Sequence, residues 1–259
     1  MVSLNTARVR RKLPFGWNVG MHGEEGRDYM FSSCVQVLTG GIGYEDLCGF
    51  DGGLTVPATE FKLFVASTGT LDTTQVIKIH GLDDNLELQY GYATLNGQTK
   101  VEVKDEDGDE ITWRMAHLAE IMGDADITAG KTVWIAEDDT FTLGVPQTQA
   151  KKKLNIPATS GESPNTAFMV PAGKRGLMVM AQYGLVLDAS HDPQAVIKTQ
   201  KPGEIFKIHA LPNTSLLGAG SGVLAVGPSW PAGTIVKMAG SASASEFAYG
   251  QLSFLLWDV

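Results

Sequence analysis

Apolar and polar positions alternate with a period of two through much of this chain. Within residues 76–80, Ile77 and Ile79 alternate with Lys78 and His80. That pattern marks a strand with one buried face. Lys100-Val101-Glu102-Val103-Lys104 alternates in the same way and reads as a half-buried antiparallel strand. Between them, Asp83-Asp84-Asn85 is a turn cluster, because short polar side chains bond their own backbone and tolerate left-handed dihedrals. Asn96-Gly97 is a two-residue hairpin signal, expected as a type I′ turn with positive φ at both central positions. Residues 76–103 thus read as strand, turn, strand, turn, strand. Further strands are expected at 61–65, 132–135, 141–143, 177–183, 203–209, 222–226, 234–238 and 247–257. In the last, Leu252, Phe254 and Leu256 share one face, while Ser253, Leu255 and Trp257 share the other. Residues 113–122 fit two periods. Met115, Leu118 and Met122 would line a helical face with Ile121 beside them, and a strand is the alternative.

One phrase recurs ahead of strands: Thr128-Ala129-Gly130-Lys131, Pro171-Ala172-Gly173-Lys174 and Pro231-Ala232-Gly233-Thr234. Proline pre-sets φ and glycine supplies positive φ, so the phrase makes a tight turn. The chain divides accordingly. Residues 1–35 read as an extended arm, broken by Pro14, Gly16, Gly20, Gly23 and Gly26. Residues 36–146 read as a first β domain and 166–259 as a second. Residues 147–165, with Lys151-Lys152-Lys153, Pro157 and Ser163-Pro164, read as a linker or long loop.

Composition sharpens this picture. Thirty glycines among 259 residues, without a collagen-like period, suit short strands joined by tight turns. The net charge of −9 argues against broad nucleic-acid binding, which depends on neutralising phosphates. Cys34 and Cys48 permit one disulfide by count but make no disulfide framework. Two small buried thiols are the expectation in a protein assembled in cytoplasm. The basic start is followed by no apolar run, so no signal peptide is expected. No window approaches the ~20 apolar residues that cross a bilayer.

The segment Gly81-Leu82-Asp83-Asp84-Asn85, with Glu87 and Leu95-Asn96-Gly97-Gln98-Thr99-Lys100-Val101, resembles a "GLDxN…E…LNGxTxV" pattern in structural proteins of tailed bacteriophages, many of them marine. Residues 168–177, Phe-Met-Val-Pro-Ala-Gly-Lys-Arg-Gly-Leu, resemble the "VPAGKxGxL" phrase that opens the second block of such proteins. The resemblance spans roughly residues 40–259 in order and spacing, and the chain departs from it at Leu86, Gln89 and Tyr90-Gly91-Tyr92. It implies a strand rather than a helix at 113–122, jelly-roll-like sandwiches, a virion component and, from β-rich phage appendages, a trimer.

Candidate chemistry is sparse. Asp105-Glu106-Asp107-Gly108-Asp109-Glu110 offers hard oxygen ligands, but glycine sits at the fourth position and no glutamate closes a loop of about twelve residues, so a solvated acidic turn is the expectation and calcium the alternative. Glu137-Asp138-Asp139 is a shorter acidic turn. His22, His80, His117, His191 and His209 lack zinc-site spacing, and His80 and His209 end strand-like runs as outward-facing residues. Gly218-Ala219-Gly220-Ser221-Gly222 lacks the lysine of a phosphate loop. Trp113, Trp134, Trp230 and Trp257 divide between core and interface anchors.

The expectation is an all-β protein of two β-sandwich halves with an N-terminal arm: not an enzyme, without cofactor or metal, and without nucleic-acid or membrane partners. Arg8, Arg10, Arg11, Phe15, Trp17 and Tyr29 are its candidate subunit contacts. Its expected role is a capsid-decoration (cement) protein on a phage head, assembled in the host cytoplasm as an oligomer that contacts the major capsid protein. A tail or fibre component, including an adaptor or host-binding protein, is the alternative. A carbohydrate-active or carbohydrate-binding protein would need an exposed tryptophan beside paired carboxylates.

Overall fold

The structure, a computed structural model, describes residues 27–38, 45–46, 59–123, 126–158, 160–165, 167–185, 194–201, 204–205, 207–210, 220–225, 229–241 and 246–259. The strands are β1 (Arg27–Leu38), β2 (Glu45–Asp46), β3 (Leu63–Ser67), β4 (Val76–Leu82), β5 (Leu88–Thr94), β6 (Val101–Glu102), β7 (Met115–Met122), β8 (Thr132–Glu137), β9 (Phe141–Thr142), β10 (Val145–Pro146), β11 (Lys152–Pro157), β12 (Ala167–Met169), β13 (Lys174–Leu185), β14 (Gln194–Gln200), β15 (Lys207–Ala210), β16 (Gly220–Ala225), β17 (Ser229–Trp230), β18 (Ile235–Ser241) and β19 (Glu246–Asp258). Among the described residues the only helical element is a single 3-10 turn at Gln149–Lys151. The chain is all-β, and 115–122 is a strand, as the resemblance implies and against the helical period.

Two sheets make the first sandwich. One has the order β11-β8-β3-β6 and the other β5-β4-β7, and the pairs within them are antiparallel. Their facing sides interdigitate as period-two alternation requires. Leu63, Val65, Val133, Ile135, Leu154 and Ile156 come from one sheet, and Ile77, Ile79, Ala93, Ala116 and Ala119 from the other. The second sandwich pairs a β1-β19-β13-β16 sheet with a β12-β18-β14-β15 sheet, β17 joining β13 and β2 joining β18. Phe168 of β12 stacks on Phe254 of β19 with centroids 5.1 Å apart, and Trp230 meets Phe254 edge-on at 6.3 Å.

A third cluster joins the halves. Leu82 and Met115 of the first pack with Ala167, Met169 and Ile235 of the second, and Leu86 lies against them. Leu86 holds a left-handed backbone conformation. In the Asp83–Leu86 turn the Leu86 amide donates to the Asp83 carbonyl at 3.1 Å, and Leu86 has φ 65. A left-handed leucine is strained by roughly 1 kcal/mol or more. The side chain is partly buried against the junction cluster, a packing contact that offsets strain of this size and that glycine could not supply. The Leu86 carbonyl also accepts from the Ala172 amide at 2.8 Å.

Several expectations are corrected. Residues 27–35 are not arm: β1 pairs with β19 along its whole length, from Arg27↔Trp257 to Leu38↔Glu246. The last breaking glycine is Gly26, so the strand starts where the punctuation stops. β2 likewise pairs with β18, so both segments attach to the second sandwich although they precede the first in sequence. Residues 152–157, inside the expected linker, form edge strand β11 with Leu154 and Ile156 in the core. Its lysines and proline disguise it. The alternation at 100–104 yields only β6, which pairs with β3 in the opposite sheet rather than forming a hairpin with β5. The turn is Asn96–Thr99, with the Thr99 amide donating to the Asn96 carbonyl at 3.1 Å, and of its residues only Gly97 has positive φ (58). Positive φ at the first central position alone is the type II′ pattern, not I′. The strand expected at 203–209 is Lys207–Ala210, and β14 has no counterpart in the sequence pattern.

Candidate functional site

A buried indole fixes the floor of the β5-β4-β7 sheet. Trp113 is fully buried in the first sandwich core. It lies against Gly81 of β4 and Gly91 of β5: a Cβ on Gly81 would come 2.8 Å from the ring, and one on Gly91 2.7 Å. Glycines 81 and 91 therefore make the slot the ring fills.

The opposite face of that sheet is covered by the second sandwich at its Leu82 and Met115 end and, among the described residues, is partly exposed over the rest. Strand register places Val76 between Thr94 and Met122, Lys78 between Tyr92 and Glu120, and His80 between Tyr90 and Leu118. All nine residues point away from the core, because their neighbours Ile77, Ile79, Ala93 and Ala119 point in. Three large apolar groups stay half exposed: Tyr90 at 49%, Leu88 at 48% and Met122 at 43%. Charges at the centre pair with one another. Glu120 accepts from His80 Nε2 at 2.8 Å and pairs with Lys78 at 3.5 Å. Burial by itself would raise the Glu120 pKa, but the hydrogen bond from His80 and the charges of His80 and Lys78 outweigh it and hold the carboxyl below the usual glutamate range. Lys78 Nζ lies 4.7 Å from the Tyr90 centroid and His80 meets that ring edge-on at 5.0 Å.

The outer face of the β11-β8-β3-β6 sheet contrasts with this. Phe64 and Trp134 point outward, but Lys100 lies over Phe64 at 4.9 Å and Lys152 over Trp134 at 5.0 Å. Lysine stems lying along aromatic rings cover them while the ammonium stays wet. Both rings are only partly exposed. One sheet face is covered by the chain's own lysines, and the other keeps Leu88 and Tyr90 half exposed at one corner and Met122 at the opposite one, with paired charges between them.

Other ionisable groups serve the scaffold. Asp72 accepts from Ser67 Oγ at 2.5 Å, Thr128 Oγ1 at 2.6 Å and the Thr128 amide at 2.9 Å, tying the loop after β3 to the loop before β8. Burial opposes its ionisation, yet those hydrogen bonds and the charge of Lys131 hold the carboxyl below its ordinary value. Asp46 of β2 pairs with buried Lys237 at 2.5 Å and Lys198 at 3.3 Å, fastening the segment after β1 to the second sandwich. His117 is buried with neither ring nitrogen hydrogen-bonded, at 5.1 Å from the Phe168 ring, in the junction between sandwiches. Burial, aided by the charge of His80, pushes it down to about 3. No sequence signal distinguished His117 from the other histidines.

Of the sequence-based candidates, Arg8, Arg10, Arg11, Phe15 and Trp17 lie outside the described residues. Tyr29 lies in β1 opposite Leu255. Cys34 is in β1 opposite Gly250, while Cys48, His22, His191 and the start of the 218–222 loop lie outside the described residues. His80 faces outward as expected. Trp113 and Trp230 are core residues, and Trp134 and Trp257 are partly exposed. In the acidic turn, Asp105 accepts from its own turn's Asp107 and Asp109 amides at 3.1 and 2.7 Å, and Glu110 pairs with Lys62 at 2.6 Å. No group of three or more His, Cys, Asp or Glu side chains among the described residues could hold a metal ion. No helix among them is long and apolar enough to cross a membrane.

No family model and no curated protein matches the chain. Among solved structures it is similar to chains of infectious bursal disease virus. For the Gx strain the identity is 10%, covering 90% of this chain and 77% of that one, with a TM-score of 0.22. For the VP2 subviral particle the identity is 11%, covering 90% and 72%, with a TM-score of 0.23. Likeness at this level carries no argument about fold or function.

Proposed function

We propose that this chain is a non-enzymatic structural component of a tailed-phage particle, seated on the head exterior as a decoration protein that holds major capsid subunits together. The observation that carries the reading is the uncovered part of the outer face of the β5-β4-β7 sheet, with Leu88, Tyr90 and Met122 half exposed around paired charges. The motif order shared with tailed-phage structural proteins points the same way. Such a role is mechanical. Its chemistry is the burial of preformed surface, and a stable contact needs on the order of 1,000 Å². Three short strands present only part of that, so the face works together with further contacts, and the arm ahead of β1 is a candidate to take part in them. Many copies around a symmetric shell then add weak contacts into firm attachment.

The test is incorporation. A chain lacking residues 1–26, cut so that β1 stays whole, and a Tyr90→Glu chain are each supplied to particles lacking the wild-type protein. The expected result is loss of bound copies in both, with melting temperature unchanged. Full incorporation of both chains would reject attachment through these surfaces. Retention on purified tails but not on heads would assign the chain to the tail.

A further inference from the structure

The face described above has an acidic rim. At one end lies the turn after β4, with Asp84 and Glu87 exposed. Along the β5 side lies the 105–110 turn, joined to the sheet by the Tyr92↔Lys104 and Lys104↔Glu110 bridges, with Glu106, Asp107 and Asp109 exposed. The only dense run of cations in the chain ahead of β1 is Arg8, Arg10, Arg11 and Lys12, followed closely by Phe15 and Trp17.

We infer that residues 8–17 of this chain seat on the outer face of the β5-β4-β7 sheet, with Phe15 and Trp17 against Leu88 and Tyr90 and the cationic run along the acidic rim. The inference rests on the proposed function's reading of that surface as a contact face and names its occupant: face and arm are the two sides of one contact, made within a copy in the free chain and between neighbouring copies in a shell. Charge and chemistry match: an acidic border around an apolar, aromatic strip takes a cationic, aromatic segment.

Reach matches as well. Arg27 lies opposite Trp257, which lies opposite Arg175, three residues beyond Ala172. The Ala172 amide bonds the Leu86 carbonyl, two residues before Leu88. Two strand spacings of about 5 Å, five residues at about 3.3 Å each and one hydrogen-bonded contact of about 5 Å sum to roughly 30 Å, and a straight line is shorter than that path. From Trp17 to Arg27 there are ten steps (27 − 17), spanning at most about 33–36 Å. The segment therefore reaches the face from where β1 begins. A neighbouring copy's segment meets the same chemistry, so exchange between copies in a shell needs no new surface.

The test uses the full purified chain with a benzophenone amino acid in place of Trp17, irradiated and mapped by mass spectrometry. The expected product joins position 17 to the strip around Leu88 and Tyr90. The double variant Leu88→Glu, Tyr90→Glu should lower its yield by about tenfold, as loss of two apolar contacts implies, without changing the melting temperature. Raising the salt concentration should weaken it too. A product between two chains at that strip supports the seat and assigns the segment to the neighbouring copy. Products on any other surface, no product, or a yield unaffected by the double variant would overturn the inference. Because the chain is free in solution, these outcomes are independent of particle incorporation, which tests the proposed role separately.

Discussion

A methyl group at Gly81 would sit 2.1 Å from the Met115 carbonyl oxygen as well as against the Trp113 ring. Backbone cannot yield as a side-chain tip does, so Gly81→Ala should destabilise the chain by about 2–4 kcal/mol, read by chemical denaturation. The same change at Gly108, where a Cβ would meet nothing within 4 Å, would meet only the strain of φ 87 and should cost less. His117 makes a prediction in pH. Its folded pKa of about 3 lies below the ordinary 6.5, so below pH 6.5 the unfolded chain binds the extra proton. Its contribution to stability is therefore complete above pH 6.5 and is lost as pH falls toward 3. At pH 4.5 the loss is on the order of 3 kcal/mol, at about 1.4 kcal/mol per pH unit. His117→Leu should flatten the stability profile between pH 6.5 and 4.5, measured as the difference from wild type. A profile parallel to wild type would show that His117 does not stay neutral in the fold. Asp72 acts lower: its depressed carboxyl stabilises above the ordinary 3.8 and the gain fades below it. At this scale the sequence spoke unevenly. Gly97 announced a turn, though of another type. Nothing in the local pattern marked Leu86 or His117, because burial at a junction depends on what arrives from far along the chain.

Elements were legible where alternation was clean. β4 and β19 follow from period-two patterning, since one face of each meets a core. β11 did not, because its lysines suggest a surface loop. Lys153 is nevertheless buried and pairs with Glu137 at 2.6 Å, while Leu154 and Ile156 fill the core. Ile156→Ala should thus cost about 2–4 kcal/mol in denaturant unfolding, whereas a linker residue would change stability by less than about 0.5. β1 was missed for a different reason. Its partner β19 lies at the far end of the chain, and pairing across such a separation leaves no local trace. Asp46 fastens β2 itself to β18 and β14 through Lys237 and Lys198. Asp46→Ala removes the carboxylate that Lys237 and Lys198 pair with and should destabilise by about 1–3 kcal/mol. A loss under about 1 kcal/mol in the same denaturation would mean that the ion pair is not formed in solution.

At the scale of the whole molecule, the two sandwiches share a core seam. Leu82, Met115, Met169 and Ile235 meet there with Leu86, and the His117–Phe168–Phe254 ring series runs through it. Truncating the seam with Phe168→Ala should cost about 3–5 kcal/mol and separate one unfolding transition into two by calorimetry. Whole-molecule function was the least legible level. The order of two motifs suggested a virion protein, but the surface that would perform the work became visible only when register set Tyr90, His80 and Leu118 in one row. The account turns on that face being covered in the assembled state. The most direct measurement is a density map of the intact particle with this chain traced. The account predicts the chain outside the head with its Lys78, Tyr90 and Glu120 surface buried under protein. A chain absent from the particle, or present with that surface bare to solvent, would contradict it.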